Sequence, residues 1–160
     1  MSIREAQAQD FNAIWPIFRE ILEAGETGSF NSSVSEDDAR LYWMEQPRKT
    51  FVFEKDGEIV GAYYLKTAQP GPGSHVCKCF YMVASSARGQ GVASEMCRHS
   101  EKAAVDLGYE AIAFNHVAAS NAGAVKLWLK LGFKTVGRIP RALKHGRRYS
   151  DVLIMYKWLH

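Results

Sequence analysis

One segment limits what this chain can fold into more than any other. From His75 to Val117 an apolar run, HVCKCFYMV, passes through the small-residue loop ASSARGQG into a helical pattern, and a second apolar run, YEAIAFNHV, follows. Val92, Met96, Ala103 and Leu107 fall on roughly one side of that helix, and Gly108 is placed to end it. A strand, a helix and a strand in this sequence make a βαβ unit, so the two apolar runs must lie parallel in one sheet with the helix across its face.

The flanking sequence supplies the rest of the sheet. SIREA reads as a short first strand, and Ile14, Ile17 or Phe18, Ile21 and Leu22 recur at helical spacing, with Pro16 expected to kink that helix or mark its first turn. AGETGSFNSS reads as a loop. Ser35 before EDDARLYWM reads as an N-cap with acids in the first helical turn, the placement the helix dipole favours. TFVFEKDGEIVGAYYLK is a hairpin turning at Asp56 and Gly57, followed by the loop AQPGPGS. Beyond the βαβ unit, YEAIAFNHV itself reads as a buried strand, and SNAGAVKLWLKLG as a short helix running from a Ser or Asn cap to a C-terminal Gly. FKTVGRI and YSDVLIMYKWL are then the last two strands, across a basic turn. The order β-α-α-β-β-β-α-β-α-β-β predicts an α/β (α+β) fold over residues 1–160. It is expected to be one domain with about seven strands, mostly antiparallel, covered by helices.

Composition excludes several function classes. No apolar run approaches the roughly 20 residues a bilayer span needs, and MSIREAQAQD lacks the basic-then-apolar pattern of a secretory leader. Three cysteines, with Cys77 and Cys79 close together, do not make a disulfide framework. These features predict a soluble cytoplasmic protein with no membrane partner. The net charge of +3 hides an asymmetry: residues 1–46 hold nine acids and three bases, the remainder eight acids and seventeen bases. The bases are scattered and match no nucleic-acid motif, so a smaller anionic ligand is expected in place of nucleic acid.

The loop ASSARGQG has its own chemistry. A strand that runs into Gly89 and Gly91 and then a helix presents unpaired N–H groups at the positive end of that helix, which is an anion site. Glycines let the backbone approach an oxyanion closely, and Arg88 adds a fixed positive charge. A P-loop is excluded because no lysine follows the glycines. A dinucleotide fingerprint fits poorly, because Ser94 stands where its last glycine belongs and Glu110 begins the next strand where an acid should end it.

What remains, Arg88-x-x-Gly91-x-Ala93 after a strand, resembles the GNAT superfamily of acyl-CoA-dependent N-acyltransferases. NAGAVKLWLKLGF is similar to a second motif of that family, with Asn121, Ala124, Gly132 and Phe133 in place. With the element order, the resemblance covers residues 2–159. GFKTVGRIPRAL and YSDVLIMYK further resemble the branch that acetylates free amino acids and related small amines.

The resemblance implies acetyl-CoA as cosubstrate, no metal, and direct transfer to an amine in a ternary complex, with a homodimer among the assemblies it allows. The backbone amides of Arg88, Gly89, Gln90, Gly91, Val92 and Ala93 would hold the coenzyme A diphosphate. The main chain at Met82 and Val83 would pair with the pantetheine amides, and Asn121 would hydrogen-bond the same arm; as a plain helix cap, Asn121 would need no ligand. Trp128 stands where the family has a tyrosine that protonates the departing sulfur, and an indole N–H is no acid at neutral pH. Tyr149 and Tyr81 are the alternatives for that role.

An ammonium cannot attack a thioester, so a proton acceptor is needed, and His75, His116 and Glu54 are the candidates. Lys78 is a candidate for holding an acceptor carboxylate, with Asn115 on the neighbouring central strand. Phe30, with Glu26 and Thr27, belongs to the loop that forms one wall of the acceptor site in the family. His75, Cys77 and Cys79 alternate on one strand face, a poor match to the four looser-spaced ligands of structural zinc. Arg138, Arg141, Lys144, Arg147 and Arg148 read as a solvated hairpin or a contact for the adenosine 3′-phosphate. An acyl-CoA sensor without turnover and a peptide acetyltransferase remain open beside the small-molecule enzyme.

Overall fold

The computed structural model describes residues 1–25 and 29–160. Its elements run β1 (Ser2–Glu5), α1 (Phe11–Ala24), α2 (Glu36–Arg40) with a π turn at Leu41–Glu45, β2 (Lys49–Lys55) and β3 (Glu58–Thr67). β4 (Val76–Val83), α3 (Val92–Asp106), β5 (Ala111–Ala118), α4 (Ala122–Lys130), β6 (Lys134–His145) and β7 (Arg148–Trp158) follow. The element order is the one the sequence predicts. The seven strands form one sheet in the order β1-β2-β3-β4-β5-β7-β6, antiparallel everywhere except between β4 and β5.

Strand alternation sorts the core into two layers. Val52, Ala62, Tyr64 and Met82 face α1 and α2, where they meet Phe11, Ile14, Phe18, Ile21 and Trp43. Phe53, Tyr63, Leu65 and Cys77 face α3, against Val92, Met96, Cys97 and Ala104. The buried stripe of α3 therefore includes the small residues Cys97, Ser100 and Ala104 besides those expected from spacing.

Local signals behave as chemistry dictates. Ser35 Oγ accepts the Asp38 N–H at 3.1 Å, capping α2. Asp56 and Gly57 at the β2–β3 turn both have positive φ, 53° and 78°, as a two-residue primed turn requires. Pro16 lies inside α1 without ending it; its exposed ring faces water, and the carbonyl it leaves without a partner belongs to exposed Asn12. At the opposite edge of the sheet, Arg4 forks onto Asp10 at 2.8 and 3.0 Å and binds Glu54 at 2.7 and 2.9 Å. Asp10 also accepts the Gln7 N–H at 2.7 Å. Those contacts, the Arg4 bonds foremost, hold the Asp10 carboxyl below the usual range.

Candidate active site

The sheet parts in its middle. β4 and β5 are in parallel register only at Val76–Ala111 and Cys77–Ile112, and beyond those pairs they diverge around a cleft of about 1070 Å³. The bonds from Ala68 N–H to Val76 O and from Ala84 N–H to Val60 O fix the β3–β4 ladder. Pairs alternate along an antiparallel ladder, so Lys78, Phe80 and Met82 turn their main-chain groups to β3. Cys79, Tyr81 and Val83 turn theirs toward β5 and the gap. Of the main-chain positions expected to pair with an extended ligand, Val83 thus faces the opening and Met82 faces away, with Tyr81 as the further open position.

The loop at the mouth suits an anion. α3 is 15 residues long and its N-cap, Gly91, offers no side-chain cap. Gly89 and Gly91 have φ of +74° and +81°, and a Cβ on either would meet nothing within 4 Å. The left-handed backbone demands glycine there while the space beside it stays open, and the first N–H groups of α3 have no capping side chain. This arrangement fits the coenzyme A diphosphate. Arg88 belongs to the cleft wall, and Gly89 to Ala93 continue directly from it. Gln90 Nε2 donates to Ser86 O at 3.2 Å and Gln90 Oε1 contacts Lys55, which ties the loop to the β2–β3 hairpin. Ser85 N–H donates to Glu20 Oε1 at 3.1 Å, tying it also to α1.

On the β5 side, a register break between Phe114 and Val117 bulges the strand at Asn115 and His116. Both are exposed and both wall the cleft. The sequence reads as a buried strand there, and the bulge is the reason it is not one, since an extra residue re-aims side chains that would otherwise point into the core. Asn121 caps α4, its Oδ1 accepting the Ala124 N–H at 3.2 Å, while the residue also walls the cleft. The cap uses the oxygen, and the amide N–H groups remain as donors.

Trp128 walls the cleft too, its ring packed on Tyr81 and Phe114 at 5.2 and 5.0 Å. Tyr81 is tied down: its hydroxyl lies 2.6 Å from Ser100 Oγ, which itself donates to Cys97 O at 2.7 Å. That contact holds the phenol against Ser100 of α3. Burial, with the neighbouring Cys79 and Cys97 thiols, pushes the Tyr81 phenol well above its ordinary value.

The wall expected to receive an acceptor lies on the α1/α2 face. Phe30 packs on Phe18, Phe80 and Tyr42 at 5.1, 5.2 and 5.4 Å, and Phe30, Tyr42, Tyr64 and Phe80 wall the cavity together with Lys78. Glu26 and Thr27 lie outside the described residues. The other expected residues are not in the cleft wall. His75 sits just before β4, its ring 6.4 Å from that of Trp158. Glu54 is held by Arg4. Tyr149 is 56% exposed on the β6–β7 hairpin. His145, Lys66 and Gln46, which sequence spacing did not single out, do wall the cleft. The loop between β3 and β4 hides the register that brings Lys66 beside Lys78, and nothing local marks His145. Among the described residues no group of three His, Cys, Asp or Glu side chains is placed to hold a metal, and no helix is long and apolar enough to cross a membrane.

The profile of the Acetyltransferase (GNAT) family matches residues 11–133. The chain belongs to this family. A GCN5-related N-acetyltransferase from Kribbella flavida is 38% identical, superposes with a TM-score of 0.91, and is covered over 96% of its length by 98% of this chain. The N-acetyltransferase aca1 of Schizosaccharomyces pombe is 33% identical over 98 residues, 60% of this chain and 47% of that protein. The match therefore spans about half the length of that curated relative. A phosphinothricin acetyltransferase from Sinorhizobium meliloti, solved in complex with AcCoA, has the same fold at 18% identity, with a TM-score of 0.85 over 98% of this chain and 87% of that one.

Proposed function

We propose that this protein transfers the acetyl group of acetyl-CoA to the amine of a small molecule, an amino acid or an analogue, by direct attack in a ternary complex. The observation that carries the reading is the parted sheet: β4 and β5 open beside an uncapped, glycine-bearing helix N terminus. The amides of Gly89 to Ala93 and Arg88 would bind the diphosphate, the Tyr81 and Val83 main chain the pantetheine, and the Asn121 amide the same arm. Acetyl-CoA supplies an acyl thioester, whose sulfur has a conjugate thiol pKa of about 8.5 and so can depart without a side-chain acid. That property answers the replacement of the family tyrosine by Trp128, whose aromatic face would instead exclude water from the passage.

His116 on the bulge is the favoured proton acceptor for the incoming ammonium, because it is exposed, on the wall and next to the gap. His145, at the end of β6 on the same side of the gap, is the second. The test is thiol release from acetyl-CoA over amino acids, polyamines, aminoglycosides and short peptides from pH 6.5 to 9. Release with particular small amines, with the acidic limb of the profile moved by His116→Ala, supports the reading. Tight acetyl-CoA binding without release on any amine replaces it with an acyl-CoA sensor.

A further inference from the structure

The described residues that wall the cleft include two lysines and no aspartate or glutamate. Lys66 of β3 and Lys78 of β4 are direct cross-strand partners, two residues along from the Tyr64–Phe80 pair whose rings stack at 5.9 Å. Alternation puts both lysine side chains on the same α1/α2 face as those rings, at the wall expected to receive an acceptor. Both are half-buried. Neither joins an ion pair among the described residues. Like charges directly opposite one another destabilise a sheet, and here burial and then the charge of Lys78 depress the Lys66 ammonium below its ordinary value. Among the described residues, this cation pair in the cleft wall has no carboxylate counterion.

We propose that the acceptor is an amine carrying two negative charges, either two carboxylates or a carboxylate and a phosphonate, straddled by Lys66 and Lys78. One monocarboxylic amino acid would neutralise one lysine and leave the other desolvated by the ligand beside it, which is costly. A second anionic group answers both. Cα atoms of such a pair stand about 5.5 Å apart, so two four-carbon stems can close on anionic groups a few bonds from each other. The same pair repels polyamines. The inference rests on the acetyl-transfer reading for the amine, while the anion site stands on the lysine pair alone.

Thiol release is to be measured with glutamate, aspartate and 2-amino-4-phosphonobutyrate against norvaline, in the wild type and in Lys66→Met. The expected result is a kcat/KM for the acidic acceptors at least tenfold above norvaline, expressed mainly in KM, and a ratio near one in Lys66→Met. Equal kcat/KM for glutamate and norvaline, or a ratio untouched by the substitution, overturns the inference. A readout without turnover separates it from the enzymatic reading: glutarate and butyrate binding followed by calorimetry, with Lys66→Gln as a second variant and thermal melts as the check on folding. Glutarate binding that both substitutions remove, with no thiol release on any amine, keeps the anion site and refutes acetyl transfer. Thiol release on neutral amines with no glutarate binding keeps the transferase and refutes the anion site.

Discussion

Replacing Gly91 separates the two things its backbone does. Its φ of +81° lies in the left-handed region, and a Cβ there would meet nothing within 4 Å. A Cβ there therefore brings strain but no clash, about 1 to 2 kcal/mol, or a fall in melting temperature of roughly 2 to 8 °C for a chain of this size. Gly91→Gln and Gly91→Glu share that strain and nearly the same bulk. They differ by one negative charge at the helix terminus where the diphosphate is placed. At about 6 Å and an effective dielectric of about 40, each diphosphate charge is repelled by roughly 1.4 kcal/mol, so two of them cost about 3 kcal/mol, or roughly 100-fold in affinity. Calorimetry with acetyl-CoA should give that gap between Glu and Gln at low salt and a smaller one at about 0.5 M salt, where screening is stronger. Equal affinities for the two variants, with equal melting temperatures, would refute the placement of the diphosphate at this terminus.

Three further outcomes follow from packing and charge. In Gly61→Ala the new methyl would sit 3.1 Å from Val92 Cγ1 and 3.2 Å from the Met82 carbonyl oxygen; the carbonyl cannot rotate away, so denaturant unfolding should show a loss of about 1 to 3 kcal/mol. Phe18→Ala removes a fully buried ring that touches Phe30, Trp43 and Phe80. It should cost about 3 to 5 kcal/mol and, by loosening Phe30 and Phe80, raise the acceptor KM more than that for acetyl-CoA. Asp10, whose folded carboxyl is held below its ordinary value chiefly by Arg4, contributes stability that is full at neutral pH. That contribution is lost as pH falls below about 4, the ordinary carboxylate value, toward the lower folded one. Asp10→Asn should lower stability at pH 7 and flatten the acid limb of a stability-against-pH curve; parallel curves for the two proteins would contradict this.

The order of elements was legible because each signal is local. The periodicity of α1, the Ser35 cap, the Asp56–Gly57 turn and the glycines before α3 each depend on residues within a few positions of one another. The cofactor side of the site was legible for the same reason, since a strand, a glycine loop and a helix are contiguous. On the acceptor side the sequence offered Phe30, Lys78, Asn115 and His116, all of which reach the cleft wall, but not the pairings that bring them there. Asn115 and His116 reach the cleft through a bulge that depends on the register with β7. Lys66 meets Lys78 through the register with β4 across a glycine- and proline-rich loop. His75 sits on a strand pattern beside Cys77, yet it falls at the closed end of the β4–β5 pair, where Glu110 N–H binds its carbonyl at 2.8 Å. Distance along a strand from the point of divergence decides such cases, and a sequence does not mark that point.

That point of divergence also has a mechanical meaning. β1 to β4 and β5 to β7 form two stiff plates, joined directly by the register at Val76–Cys77 and Ala111–Ile112. Such a seam is the apex of two long arms, which also touch across the gap where Tyr81 packs on Phe114 and Trp128. From Cys77 to Val83 the arm is six residues, about 20 Å at the rise of an extended chain. A rotation of about 5° at the seam would therefore move the far end by nearly 2 Å. The bore of the passage is thus sensitive to a few central residues, and substitutions at Cys77 or Ile112, both fully buried and outside the cleft wall, can change its width.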